Sequence, residues 1–148
     1  MWEKEFFLYI GRHLGMPVCL EGALKLKEIS YIPTDSYAAG EMKHGPIALL
    51  SENTPVVAVM NDSHVYEKVA SNVQEVRARG AMVIAVITEG NEDASHHADW
   101  TLPIPSTEPE LAPILASIPL QILAYHAAVA LERDVDKPRN LAKSVTVE

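Results

Sequence analysis

PVVAVMN (Pro55–Asn61) and MVIAVITE (Met82–Glu89) decide the fold. Each is an unbroken apolar run bounded by turn residues, without the alternation of a half-solvated strand. Between them lies DSHVYEKVASNVQEVRARG. It carries Val65, Val69, Val73 and Val76 at helical spacing, Asp62 and Ser63 as cap candidates, Arg77 and Arg79 in its last turn, and Gly80 as its stop. A strand, a helix and a second strand of this kind predict parallel strands joined by a right-handed crossover.

The neighbouring segments extend the pattern. FFLYIG (Phe6–Gly11) reads as a first buried strand. A helix follows over Val18–Ile32, stopped by Pro33. TDSYAAGEMKHGP reads as a loop, and IALL as one helical turn. WTLPIP is a short fourth strand, placed near an edge by its prolines. PELAPILASIPLQILAYHAAVALERD is a long apolar helix with Pro113 in its first turn and a kink expected at Pro119. The fold class predicted is α/β: a three-layer α/β/α sandwich with a parallel sheet. One domain is expected over residues 1–148, with the polar residues 134–148 as a tail draped over it.

The chain has 148 residues, 48% of them hydrophobic, enough to build a full core. Its net charge is −8, and it has no basic block to neutralise phosphates, so neither a nucleic-acid nor an anionic-membrane partner is expected. The single cysteine, Cys19, leaves no disulfide framework and reads as a packed core thiol. MWEKEFF lacks the apolar stretch of a signal peptide. No apolar run approaches the roughly 20 residues of a membrane span. A soluble, cytoplasmic protein is expected.

LEGALKLKEISYI (Leu20–Ile32) carries Glu21, Lys25 and Glu28 at i, i+4 and i+7. At about 100° per residue these fall within an arc of roughly 60°, on a helix otherwise rich in leucine and isoleucine. The stripe reads either as an ordinary solvated ion pair or as the wall of a cleft. In a partly dry cleft a carboxylate tends toward the range of a general base, while a neighbouring lysine pulls it back. His44, between Lys43 and a Gly-Pro turn, is either a surface histidine or a positioned proton donor. His96 and His97 are adjacent and point differently, so no metal site is expected. His126, in the long apolar helix, reads as a core histidine. Lys143 is either a solvated tail lysine or an amine that the tail delivers over a cleft. No phosphate-binding glycine loop is present, since GRHLG (Gly11–Gly15) does not fit one. No loop rich in serine and threonine is present to cradle a sugar phosphate.

Several segments are specific: EGALKLKE, GEMKHGP, SNVQEVRARG, PLQILAYHAAVA and PRNLAKSVTVE. Together they resemble, over nearly the whole chain, the C-terminal part of the glucosamine-6-phosphate synthases, the isomerising glutamine–fructose-6-phosphate aminotransferases. The resemblance implies a sugar-isomerase (SIS) domain. In that family a glutaminase domain and two SIS domains convert fructose 6-phosphate and glutamine-derived ammonia to glucosamine 6-phosphate, opening hexosamine biosynthesis. It implies Glu28 as the base that moves a proton between C1 and C2. It implies Lys143 as the amine forming a Schiff base with the open-chain ketose, and His44 as the group assisting ring opening across a homodimer. Glu21, Lys25 and Ala142 match positions beside the sugar, and no cofactor is implied.

The glutaminase domain and first SIS domain are not found in this chain, and Pro33-Thr34-Asp35 replace a common His-Ala-Glu. The expectation is therefore the second SIS domain of such an enzyme, with little activity alone. The alternatives are a regulatory sugar-phosphate-binding module and a stand-alone sugar-phosphate isomerase.

Overall fold

The computed structural model describes residues 6–141. Its five strands are β1 (Phe7–Gly11), β2 (Thr34–Ala38), β3 (Pro55–Val59), β4 (Met82–Thr88) and β5 (Trp100–Ile104). Its helices are α1 (Gly15–Ser30), α2 (Tyr66–Arg77), α3 (Glu92–His96) and α4 (Ala112–Ala130), with 3-10 turns at Ala39–His44 and Pro46–Leu49. All strand pairs are parallel, in the order β2-β1-β3-β4-β5.

The apolar strands bury alternate residues on opposite faces. Phe7, Tyr9, Val57, Val59, Ile84 and Val86 pack under α1 and α4. Leu8, Ile10, Val56, Ala58, Val83 and Ala85 pack under α2 and the 3-10 turn. The two cores, one on each face of the sheet, make the three-layer sandwich that the sequence predicts. Helices α1 and α4 approach closely at Gly22, where an added Cβ would lie 2.6 Å from Leu120 Cδ1 and 3.0 Å from Tyr9 Cε1.

Several expectations are corrected. Thr34–Ala38, read as loop, is strand β2, paired with β1 along its whole length. Its polar residues suit an edge strand, and its hydrogen bonds complete the open side of β1; pairing overrides propensity here. Thr34 adds a side-chain bond, Oγ1 donating to the Ala23 carbonyl at 2.7 Å. Helix α1 starts at Gly15, three residues before Val18, because Pro17 is tolerated in a first turn. It ends at Tyr31, in the left-handed conformation (φ 64°), whose amide donates to the Lys27 carbonyl. Helix α2 starts at Tyr66, behind Val65, with no side-chain cap. Asp62 does other work: its amide donates to Thr88 Oγ1 at 2.9 Å, and its carboxylate accepts from Asn91 Nδ2 at 2.6 Å. Asn91 in turn caps the unforeseen helix α3, accepting from the Ala94 amide. His126 is exposed, edge-on to Tyr125, and is no core histidine.

Helix α4 runs through Pro119 as one 19-residue helix. With a mean hydropathy of 1.4 it is long and apolar enough to cross a membrane by composition alone, contrary to the run length read from the sequence. One side of it (Ala116, Leu120, Ala124 and Ala127) is packed into the sheet core.

Candidate active site

Helix α1 lies across β1 and β2 with Val18, Cys19, Ala23 and Leu26 inward. That registry turns Glu21, Lys25 and Glu28 outward together. Lys25 Nζ is 2.6 Å from Glu28 Oε2 and 3.8 Å from Glu21 Oε1. The hydrogen bond to Glu28, with the charges of both carboxylates, raises the Lys25 pKa and keeps the ammonium charged, although partial burial opposes this. The three side chains are 42%, 33% and 27% exposed in chain order, so the stripe is partly open to water. Leu20 and Leu24 beside it are 53% and 42% exposed. Of the apolar residues around the stripe, Ala23, Leu26 and Ile32 are buried, while Leu20 and Leu24 face outward.

The arrangement is suited to proton transfer. A carboxylate with one lone pair on an ammonium has another free for a substrate C–H or O–H, and the ammonium offsets negative charge on a neighbouring oxygen.

His44 ends the 3-10 turn that follows β2. In a 3-10 helix residues three apart share a side. Ala39 and Met42 do so, both fully buried against the α2 side of the sheet. His44 is left exposed, followed by Gly45 at φ 152° and Pro46. Among the described residues it makes no hydrogen bond or ion pair to the stripe. The turn is rooted on the face of the sheet opposite α1.

Lys143 and Ala142 lie outside the described residues. The tail leading to them is anchored: the Arg139 amide donates to Tyr31 Oη at 2.8 Å. The Arg139 and Arg133 guanidinium carbons stand 4.2 and 5.5 Å from the Tyr31 ring centre. Tyr31 caps α1 three residues beyond Glu28, so the tail docks at the end of the helix that carries the stripe. Sequence reading missed Tyr31; its aromatic ring, two residues before a proline, was the available signal.

A concavity opens between the C-terminal ends of β1 and β3, where the strand order reverses and open α/β sheets bind ligands. Arg12, His13, Asn61, Ser63, His64 and Glu110 line it, with the His13 and His64 rings 4.7 Å apart edge to face. It encloses about 90 Å³. Ser63 is its one hydroxyl. Among the described residues no group of three or more His, Cys, Asp and Glu could hold a metal ion; His97 instead meets Asp93 at 3.8 Å. Cys19 is fully buried, its thiol pushed up to about 12 by burial, so it is a packing group.

The chain is similar to known proteins over nearly its whole length. The SIS domain family matches residues 2–131. The isomerising glutamine–fructose-6-phosphate aminotransferase of Thermus thermophilus is 59% identical over 142 residues, which make up 96% of this chain and 24% of that enzyme. The enzyme of the same name from Methanosarcina mazei is 54% identical over 99% of this chain and 24% of its own length. This chain therefore spans about a quarter of the relatives it matches. Among solved structures, the C-terminal domain of glucosamine-fructose-6-phosphate aminotransferase from Francisella tularensis superposes with a TM-score of 0.84 at 40% identity, covering 92% of this chain and 38% of that one. A glucosamine-6-phosphate deaminase from Thermotoga maritima gives 0.78 at 30% identity, covering 98% and 41%. A parallel sheet in the order 2-1-3-4-5, a matching family profile over most of the length and these relatives lead to one conclusion: the chain belongs to the SIS domain family.

Proposed function

We propose that this chain is the second isomerase domain of a glutamine–fructose-6-phosphate aminotransferase and supplies the proton-transfer and Schiff-base groups of its sugar site. The observation that carries the proposal is the Glu28–Lys25 pair at 2.6 Å, flanked by Glu21 and turned outward on α1. In this reading the Lys143 amine attacks C2 of open-chain fructose 6-phosphate, and water leaves as the imine forms. Ammonia displaces the lysine. Glu28 then takes a proton from C1 and returns it to C2, while the O1 hydroxyl gives up its proton and the imine nitrogen gains one, which turns the 2-imine into the 2-amino aldose, glucosamine 6-phosphate. Glu21 and Lys25 hold sugar oxygens, with Ala142 beside them.

His44 opens the ring in the site of a neighbouring copy. That placement is supported by its root on the sheet face away from α1 and by its exposure. The first SIS domain and the glutaminase domain belong to the parent enzyme, which is a cytoplasmic homodimer in this reading. The single hydroxyl of the cleft at the β1/β3 switch point supports a phosphate cradle located in the other SIS domain.

The test is Glu28→Gln in the complete enzyme. Glucosamine 6-phosphate synthesis falls by about 10²–10⁴, the usual contribution of a general base. Exchange of the C1 proton with solvent falls with it, while sugar binding survives. Unchanged synthesis would sink the catalytic reading in favour of a sugar-phosphate-binding module.

A further inference from the structure

The geometry points to Arg12 as the positioning residue for His44. This inference rests on His44 taking part in the reaction as proposed above. Arg12 belongs to GRHLG, the turn between β1 and α1. His13, in the left-handed region at φ 49°, completes that turn, and Arg12 stands at the C-terminal edge of the sheet. Its Nε donates to Oδ1 of Asn72 on α2 at 2.9 Å, and Asn72 is 5% exposed. The rest of the guanidinium lies against the backbone of Gly40. A Cβ there would sit 2.6 Å from Nη2, 3.1 Å from Cζ and 3.2 Å from Nη1.

One planar group thus joins three segments: the turn between β1 and α1, the middle of α2 and the second residue of the turn that ends in His44. Two kinds of contact hold that turn. Ala39 and Met42 are plugged into the core, which sets its depth. Apolar packing is non-directional, so two plugs on one side leave the turn free to roll about the line through them. The guanidinium, fixed by the buried Asn72 and pressed on Gly40, blocks that roll and sets the direction in which Glu41, Lys43 and His44 project. A lysine reaches the same place with a point charge and no flat face, so it does not replace this contact.

Gly40 provides a clean probe. Its φ is not positive, so its backbone accepts alanine and the cost falls on the Arg12 contact. The experiment uses the complete enzyme and two substrates: fructose 6-phosphate, which must be ring-opened, and its 5-deoxy analogue, which has no O5 to close a furanose ring. Arg12→Lys and Gly40→Ala are each expected to lower kcat/KM for fructose 6-phosphate about tenfold, part of the 10²–10⁴ of a proton donor, and to spare the 5-deoxy analogue. In an Arg12→Ala background, Gly40→Ala adds no further loss, because the two act through one contact.

Equal losses on both substrates, as from general damage to the fold, would overturn the inference. So would additive losses or full activity on fructose 6-phosphate. His44→Ala serves as the control. If it spares the 5-deoxy analogue and the Arg12 and Gly40 variants do not, the inference alone fails. If it does not discriminate between the substrates, the role assigned to His44 fails and the positioning role falls with it.

Discussion

At the residue scale, Lys25 is the side chain whose surroundings change its chemistry most usefully. Its pKa is raised by the Glu28 hydrogen bond and by both carboxylates, so the folded state binds this proton more tightly than the unfolded chain. The resulting stabilisation is fully present below the unfolded lysine value, near 10.4, and is lost as pH rises through the folded value. With the pair about a third exposed, water screens it, and its worth is a few tenths of a kcal/mol. Urea denaturation of the wild-type chain and Lys25→Met should show a small difference at pH 8 that shrinks toward pH 11.5. A difference that grew with pH would contradict the pairing. Cys19 and Tyr9, both raised by burial, also weaken the fold in alkali, but they do so equally in both proteins and cancel in the comparison.

At the scale of elements, the α1–α4 contact decides how the site helix sits. Gly22 lets the two helices close over Tyr9 and Leu120. Both neighbours are fully buried, so an added methyl has no room, and overpacking of this kind costs about 1–3 kcal/mol. Gly22→Ala should therefore lower stability by that amount and, by tilting α1, lower synthesis in the proposed parent enzyme. In a Leu120→Ala background the same substitution should cost less, since the group it strikes at 2.6 Å is gone. Equal costs in the two backgrounds, read from urea midpoints, would show that the contact is not the reason.

At the scale of the whole molecule, one side of the sandwich is unfinished. Ile114, Ile118, Ile122, Tyr125 and Val129 run along the outer side of α4, each about half or more exposed, and Leu20 and Leu24 lie exposed on the adjacent α1. Single exposed apolar residues are ordinary, but a row at helical spacing beside a second exposed pair marks a contact surface. In the proposed reading the rest of the parent enzyme covers it. The chain alone should then self-associate through this face, with a mass by light scattering that rises with concentration. Ile118→Lys with Ile122→Lys should hold it monomeric with its fold intact. A strictly monomeric wild-type chain at high concentration would remove the support this face gives to a partnered state.

The sequence by itself determined the class of the fold, because unbroken apolar strands separated by helices have few ways to bury both faces. It determined the Glu21–Lys25–Glu28 stripe for a similar reason: helical periodicity puts i, i+4 and i+7 on one line wherever the helix lies. The same periodicity could not say what faces that line. Tertiary structure decided that Leu20 and Leu24 beside that line are open to water while Ala23 and Leu26 are buried, and that His44 is rooted on the other side of the sheet. It decided that polar Thr34–Ala38 is a strand, since the unpaired backbone edge of β1, a whole helix away in sequence, outweighs local propensity. It also gave Arg12 its place. A motif that reads only as a failed phosphate loop becomes the link between the end of β1, α2 and the His44 turn, because only the folded chain brings Gly40 and Asn72 to the end of β1.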